Sequence, residues 1–445
     1  MANSKPYPAV SAAPFLFGHM PEMHQDTYAF YLRQHAAAGD SLRFRAYPGI
    51  NFYSFAAPDD IHHILVKARQ KYSRGARWSR IVSRIGGNGA LTSTGELWQQ
   101  QRKHITPYFN PAHVEKYAGR IVRNTLSLIE GSQRLQQGAE INVSRAMMAL
   151  GLINVSDIMF NYDMRGQAEK FSEAMMDGFF YINRFIQNPL TPPGFLPTKT
   201  NRLFREKKAV ADKVVQEIIK AVRREDEDCM IGALVKAGNS DRQLHDEIMT
   251  LLMAGHDTLS TALAWTWYLL ARHPDALKKV QEELDAELKG EPPTAQSIER
   301  LAYTRMVFKE TLRLYPSAWA IHRFSEEPDE VDGFAVRKGS SVVLPVYVTH
   351  RHAACWKYPD AFYPEHFSKE ESETRPRFAY VPFGAGEHVC VGAQLATIEG
   401  ILILATILQK FTPTLKETAP VNPVVNFTLK PERDIIGFAV RRQAT

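Results

Sequence analysis

Taken as a pattern of apolar and polar positions, most of the chain repeats at the helical period, and only a few short runs alternate as strands do. Residues 1–40 are Pro-rich and then helical, with Tyr28, Phe30, Tyr31 and Leu32 on an apolar face. Residues 41–46 and 51–55 read as two strands around Tyr47-Pro-Gly, a hairpin signal. Pro58-Asp-Asp opens a helix to residue 65, and a basic, irregular, glycine-rich stretch follows at about 71–94. From Trp98 to about residue 275 the pattern is helical with one clear interruption at 187–197, just after the aromatic cluster Phe179, Phe180, Tyr181 and Phe185. That Pro-rich loop reads equally as a lid over a pocket or as a plain surface connection. The charge run at 223–228 reads as a solvated helix end.

The helix at 241–272 is well above the usual globular length and apolar around most of its circumference after Thr258. That composition belongs at the centre of a protein. A polar helix at 274–288 and a helix at 297–315, stopped by Pro316, come next. Strands at 330–336 and 341–344 flank a turn at Lys338-Gly339, 359–378 is irregular, and 424–429 with 435–440 suggests a last hairpin. The apolar run 393–405 reads as a buried helix. The fold is therefore mainly α with small β-sheets, without internal repeats, and 1–445 reads as a single domain.

Composition changes this picture little. A content of 44% hydrophobic and 23% charged residues is that of a globular protein with a large core. Three cysteines far apart make no disulfide framework, which points to a reducing compartment. The N-terminus has no apolar core of signal-peptide length, and the apolar stretch at 248–271 carries His256 and Asp257 in its middle, costly in a bilayer. The expectation is a soluble cytoplasmic protein with no membrane anchor. The formal charge of +6 is spread along the chain, which argues against nucleic-acid binding and favours an acidic protein partner.

Candidate chemistry sits in four places. In Phe383-Gly-Ala-Gly-Glu-His388-Val-Cys390-Val-Gly a glycine-rich turn precedes a lone cysteine and then an apolar helix. A cysteine near a helix N-terminus is favoured as thiolate, for a metal or for nucleophilic attack, although a buried structural cysteine is the commoner outcome. Ala254-Gly255-His256-Asp257-Thr258 puts a glycine, an acid and a hydroxyl inside the long helix. It reads either as a proton relay or as a self-bonded hydroxyl with a paired acid. Glu310 and Arg313, three apart, can pair on one helical face, as many surface pairs do. Trp98, Arg102, Arg323 and His388 are donors that could bind an anion.

Together these residues resemble the cytochrome P-450 family of haem-thiolate monooxygenases over essentially the whole chain. Phe383–Gly392 matches the family's Phe-x-x-Gly-x-x-x-Cys-x-Gly signature at every fixed position. Glu310–Arg313 matches its Glu-x-x-Arg element, Ala254–Thr258 its oxygen-activation element, and Trp98 with Arg102 its Trp-x-x-x-Arg element. The resemblance implies the P-450 fold, with the long central helix over a haem b ligated by Cys390. It implies propionate contacts from Trp98, Arg102, Arg323 and His388, with Phe383 beside the proximal face and Gly255 letting the helix cross the distal face closely. It assigns proton delivery to Asp257 and Thr258, and a pocket to Phe179, Phe180, Met253, Ala254, Trp319, Ile321 and Phe427. It also implies O2, a hydrophobic small-molecule substrate, and electrons from a ferredoxin or flavodoxin with its reductase.

Two positions depart from the family pattern. His366 stands in Pro364-Glu-His366-Phe367 where the family has arginine, a weaker partner for Glu310 and Arg313. Leu259 stands where many members carry a second hydroxyl. A haem-thiolate isomerase or peroxygenase would have less use for both Asp257 and Thr258. A haem sensor would carry a signalling domain, and a cysteine hydrolase would need a histidine–acid partner for Cys390. The reading is therefore a monooxygenase that hydroxylates or epoxidises a hydrophobic molecule such as a fatty acid, terpenoid or polyketide.

Overall fold

The computed structural model describes residues 5, 7, 18–47, 50–187, 191–225 and 229–442. The chain divides into two compact units: residues 1–78, 309–390 and 422–432 form the first, and residues 79–308, 391–421 and 433–445 the second.

The first unit is built on a five-stranded sheet in the order Ser41–Tyr47, Ile50–Phe55, Ser341–Pro345, Ala320–Ser325, Tyr72–Ser73. Neighbours are antiparallel except where Phe52–Ser54 runs parallel to Ser341–Val343. Both faces are covered, and the period of two sorts the side chains between them. Tyr53, Phe55, Val342 and Leu344 join a core with Ile61, Ile64 and Leu65. Phe44 and Val343 join a second core with Phe30, Tyr31 and Tyr347.

The second unit is helical around Asp241–Arg272. The Ser240 hydroxyl accepts from the Gln243 amide while the Gln243 side chain accepts from the Ser240 amide, a capping box that fixes the start. Pro274 opens the next helix, Pro274–Leu288. The long helix packs on Val143–Phe160 through small residues: a Cβ on Gly151 would lie 2.6 Å from the Ser260 hydroxyl oxygen, and Ser260 itself donates to the Met147 carbonyl. A three-stranded antiparallel sheet, Glu140–Asn142, Ile436–Arg441 and Phe411–Leu415, completes the unit. One described helix, Val143–Phe160, is long and apolar enough to cross a membrane, and 61% of it is buried inside the protein.

Several elements differ from expectation. Residues 71–94 are irregular only in part: they hold the strand Tyr72–Ser73 and the helix Ala76–Gly86, on which Ile81, Val82 and Ile85 bury together while Arg77 and Arg80 stay more accessible, and turns and loop follow to residue 94. Residues 330–336 form not one strand but a hairpin, Asp329–Val331 with Phe334–Val336, because Asp332 and Gly333 both take positive φ (48° and 78°). Ala320–Ser325, outside every expected strand, is a central one. The last expected hairpin is two separate pairings. Pro423–Val425 pairs with Leu429–Pro431 across a tight turn at Asn426, whereas Ile436–Arg441 pairs with Phe411–Leu415 and Glu140–Asn142. Most of residues 1–17, the Tyr47-Pro-Gly turn beyond Tyr47, residues 188–190 of the Pro-rich loop and 226–228 of the charge run lie outside the described residues.

Candidate cofactor and active site

Cys390 ends a loop whose shape is set by glycine. Gly384 and Gly386 take φ of 72° and 73°, a region that costs other residues, and a Cβ on Gly386 would strike the Leu65 carbonyl. The Cys390 amide donates to the Phe383 carbonyl at 2.9 Å, which folds the loop back on itself. Cys390 is exposed, and the helix that follows it, Ala393–Leu408, begins three residues later. Phe383 and His388 are half-buried in the same loop.

Arg323, on the strand Ala320–Ser325, is half-buried, and it donates to the neighbouring His322 carbonyl at 2.9 Å. Burial lowers its guanidinium to about 10, with Glu387 partly opposing. His322 beside it is lowered to about 4 by burial and by Arg323, and is therefore neutral. A further cation, which no motif marks, joins this loop: Arg74 Nη2 lies 2.8 Å from His388 Nδ1 and donates to it. Glu387 in turn is 3.5 Å from both Arg69 Nε and His388 Nε2. A half-buried guanidinium beside a neutral histidine suits an anionic group such as a carboxylate.

Glu310 and Arg313 are fully buried, and His366 with them. Arg313 makes five hydrogen bonds. Nε and Nη2 donate to the two Glu310 oxygens at 2.8 Å, Nη1 to the His350 and Pro359 carbonyls at 2.9 and 2.6 Å, and Nη2 again to the Ala361 carbonyl at 2.7 Å. Glu310 also accepts from the Tyr363 amide at 2.8 Å and from His366 Nδ1 at 3.2 Å. Sequence reasoning missed two members of this network. Arg375 stacks on Trp356 with 3.8 Å to the ring centroid and donates to the His366 carbonyl. His350 accepts from the Val381 amide at Nε2 (2.9 Å), so its proton sits on Nδ1 and is donated to the Arg313 carbonyl. Burial lowers His350 to about 3, which keeps it neutral. Val381 leads into the loop of Cys390, so this network anchors the loop.

In the second unit the long helix is buried along most of its length, but Ala254 is exposed and Gly255 and Thr258 are half-buried. Thr258 Oγ1 donates to the Ala254 carbonyl at 2.7 Å, leaving its lone pairs to accept. Asp257 is 1% exposed, and the fully buried His256 lies 3.0 Å from the Ser172 hydroxyl. A Cβ on Gly255 would come to 3.0 Å from Val155, so helix packing already accounts for this glycine, and the accessible face belongs to Ala254 and Thr258. Trp98 and Arg102 lie four apart on Gly95–Ile105, both half-buried.

Of the expected pocket residues in this unit, Phe179 is fully buried while Phe180 is 62% exposed, as adjacent helical positions about 100° apart must diverge. Met253 is fully buried with its methyl facing Gly86, and Ala254 is exposed. Trp319, Ile321 and Phe427 lie in the first unit, each half-buried or more accessible.

In the first unit, a loop presenting a cysteine sulfur and a half-buried guanidinium suited to a propionate fit a haem. Comparison with known proteins agrees. The family model for cytochrome P-450 matches residues 8–438. Cyclooctatin synthase of Streptomyces melanosporofaciens is 32% identical over 88% of this chain and 86% of its own. Cyclooctat-9-en-7-ol 5-monooxygenase of the same organism is 29% identical over 89% and 87%. Pentalenene oxygenase of Streptomyces avermitilis is 25% identical over 95% and 94%. The chain therefore belongs to the cytochrome P-450 family: it is a haem b enzyme with thiolate-ligated iron, a monooxygenase of hydrophobic small molecules that draws its electrons from redox partners.

Proposed function

We propose that Cys390 is the iron ligand and that Arg323, Arg74, His388, Trp98 and Arg102 hold the haem propionates, with Phe383 beside the proximal face. The observation that carries this assignment is Arg323, a half-buried cation whose hydrogen bond goes to a neutral carbonyl, in the unit that also holds the cysteine loop. When bound, the haem supplies activation of O2 and insertion of one oxygen atom into the substrate. The chain's own part is to hold and to shield. The Glu310–Arg313–His366 network fixes the backbone that leads to Cys390. Thr258, its hydroxyl proton given to the Ala254 carbonyl, offers its oxygen lone pairs at the accessible face, and Asp257 is the acid that supplies the proton there.

The substrate proposed is a terpenoid. Relatives of this chain are named for cyclooctat-9-en-7-ol and for pentalenene, and the apolar candidates Phe179, Met253, Ala254, Trp319, Ile321 and Phe427 suit a molecule with few polar groups. Ferredoxin or flavodoxin with its reductase is proposed as the electron source, and a soluble cytoplasmic enzyme, working as one domain, as its setting. The test is direct. Cys390→Ser is expected to abolish the thiolate-type Soret band of the reduced carbon-monoxide complex. Thr258→Ala is expected to keep that band while product per electron falls about tenfold or more. A normal band in Cys390→Ser overturns the ligand assignment. A library in which charged hydrophilic compounds alone shift the Soret band overturns the substrate class.

A further inference from the structure

Among the described residues eight large apolar side chains are exposed, and five of them fall between residues 180 and 210: Phe180, Phe195, Leu196, Leu203 and Val210, with Phe195 at 80%. All belong to the second unit. The helices Ala168–Gln187 and Lys199–Glu225 run antiparallel there, because Asp177 pairs with Lys207 at 3.2 Å while Arg184 donates to Thr200 Oγ1 at 3.2 Å. Between those ties the buried Tyr181 stacks on Phe204 with ring centroids 3.8 Å apart. Phe180 and Leu203, one position earlier on each helix, therefore fall side by side on the outer side of the seam. The Pro-rich loop that joins the helices ends in a pinned turn. Asn201 Nδ2 donates to the Pro193 and Leu196 carbonyls at 2.9 Å each, and the Leu196 amide donates to the Pro193 carbonyl at 3.0 Å. These bonds hold Phe195 out in solvent. Cations accompany the patch: residues 184–205 hold Arg184, Lys199, Arg202 and Arg205, all exposed, and no acid.

We propose that this patch docks the enzyme reversibly on an anionic lipid bilayer, with Phe180, Phe195, Leu196 and Leu203 at the acyl boundary and the flanking cations among the headgroups. A contiguous apolar surface on a folded protein marks an interaction site, and shape and charge choose the occupant. An apolar tip standing out between cations has the form that enters a fluid interface, where Lys and Arg meet phosphate while apolar side chains meet acyl chains. A second copy of the chain would set these cations against their own kind. A neutral bilayer would gain nothing from them.

The attachment is peripheral and needs no spanning helix: Val143–Phe160, the described helix long and apolar enough to cross, is mostly buried inside the protein. It is independent of the residues assigned to the haem. Its consequence is local concentration, since a hydrophobic substrate accumulates in the same lipid phase. The Pro-rich loop is on this reading neither a plain connection nor only a lid, but the part of the surface that meets the bilayer.

The experiment is flotation of the holoprotein with vesicles of phosphatidylglycerol and phosphatidylcholine in equal parts, beside vesicles of phosphatidylcholine alone. Binding to the mixed vesicles is expected to be about tenfold tighter or more, and to weaken as salt is added. Phe195→Ser is expected to weaken it about tenfold, and Lys199→Glu combined with Arg202→Glu about twentyfold or more. These side chains are exposed, and an unchanged reduced carbon-monoxide spectrum checks that each variant is folded. Val440→Thr, at an exposed apolar position on the strand Ile436–Arg441, is expected to bind as the natural protein does. No flotation, undiminished binding by Phe195→Ser, an equal loss in Val440→Thr, or equal binding to the two kinds of vesicle overturns the proposal. So does binding to poly-glutamate that is as tight as to vesicles and unaffected by Phe195→Ser, which gives the cations to an acidic protein. Self-association without lipid that Phe195→Ser abolishes also overturns it and gives the patch to a second copy.

Discussion

Arg313 and Arg323 lie ten residues apart in the same unit, the first fully buried and the second half-buried, and their donors meet opposite surroundings. Arg313 makes five hydrogen bonds, to a carboxylate and three carbonyls, and stands 5.0 Å from the Trp356 centroid. Arg323 has the carbonyl of the residue before it and the field of Glu387. The same side chain is thus a structural rivet in one place and, under the proposed assignment, an anion-binding group in the other. What separates them is how much of the desolvation cost the protein itself offsets. A saturated guanidinium has nothing left to offer a ligand.

The largest expected effect follows at Arg313. Arg313→Ala leaves the Glu310 carboxylate buried with the Tyr363 amide and His366, a loss of about 3–5 kcal/mol, which is a large part of a typical protein's stability. Little soluble protein is expected, and urea unfolding of what is recovered should show a midpoint shift to match. Arg313→Lys is not expected to rescue it, since one ammonium cannot reproduce two bonds to Glu310 and three to carbonyls. Arg323→Leu should behave in the opposite way. Removing a poorly solvated cation leaves the apoprotein as stable or more so. Haem dissociation, followed by transfer to an excess of apo-globin, should accelerate about tenfold or more, equivalent to about 1.4 kcal/mol. If Arg323→Leu unfolds as readily as Arg313→Ala, the contrast between rivet and ligand site fails.

His366 tests the rivet more gently. It contributes one hydrogen bond to a carboxylate that Arg313 and Tyr363 already satisfy in large part, and Arg375 places a second cation on the same Trp356 ring. His366→Phe is therefore expected to cost about 1–3 kcal/mol in urea unfolding, below the loss at Arg313. His366→Arg, the family's usual residue, should fall within about 1 kcal/mol of the natural protein. A gain of several kcal/mol on restoring arginine would mean that Arg375 does not share its role.

How far the sequence reveals this contrast depends on the reach of each contact. The Glu310–Arg313 pair is legible because a spacing of three on a helix brings it together, and the long helix is legible from Ser240, Gln243 and Pro274 at its ends. The carbonyls that saturate Arg313 belong to His350, Pro359 and Ala361, which tertiary folding alone brings near. Arg74 and Arg375 carry no motif. The helix Ala76–Gly86 is hidden by the glycines around it, though Ile81, Val82 and Ile85 have helical spacing. The Asp332–Gly333 turn has its signal in the sequence, but Val331, Phe334 and Val336 give a run that also reads as one strand.

The smallest predicted effect lies in the second unit, where a cation is made by its partners instead of being buried with them. His245 places Nε2 3.1 Å from Asp212 and Nδ1 3.3 Å from Asp246. Asp212 also binds Lys208 on its own helix, and Asp246 accepts from the Asn88 amide at 2.8 Å. The bonds to Asp212 and Asp246 raise the imidazole to about 9, against burial and Lys208, from an ordinary value of 6.5. A base raised on folding stabilises fully below its unfolded pKa and loses that contribution as pH rises through the folded one. The stability gap between the natural protein and His245→Asn should therefore be widest near about pH 6 and close between about pH 7 and pH 10. Its full size is on the order of 1 kcal/mol, reduced from the shift itself because the three side chains are partly exposed. Urea midpoints measured for both proteins across that range decide it. A gap that stays constant with pH would show that His245 serves by packing, and that charge sharing here contributes nothing.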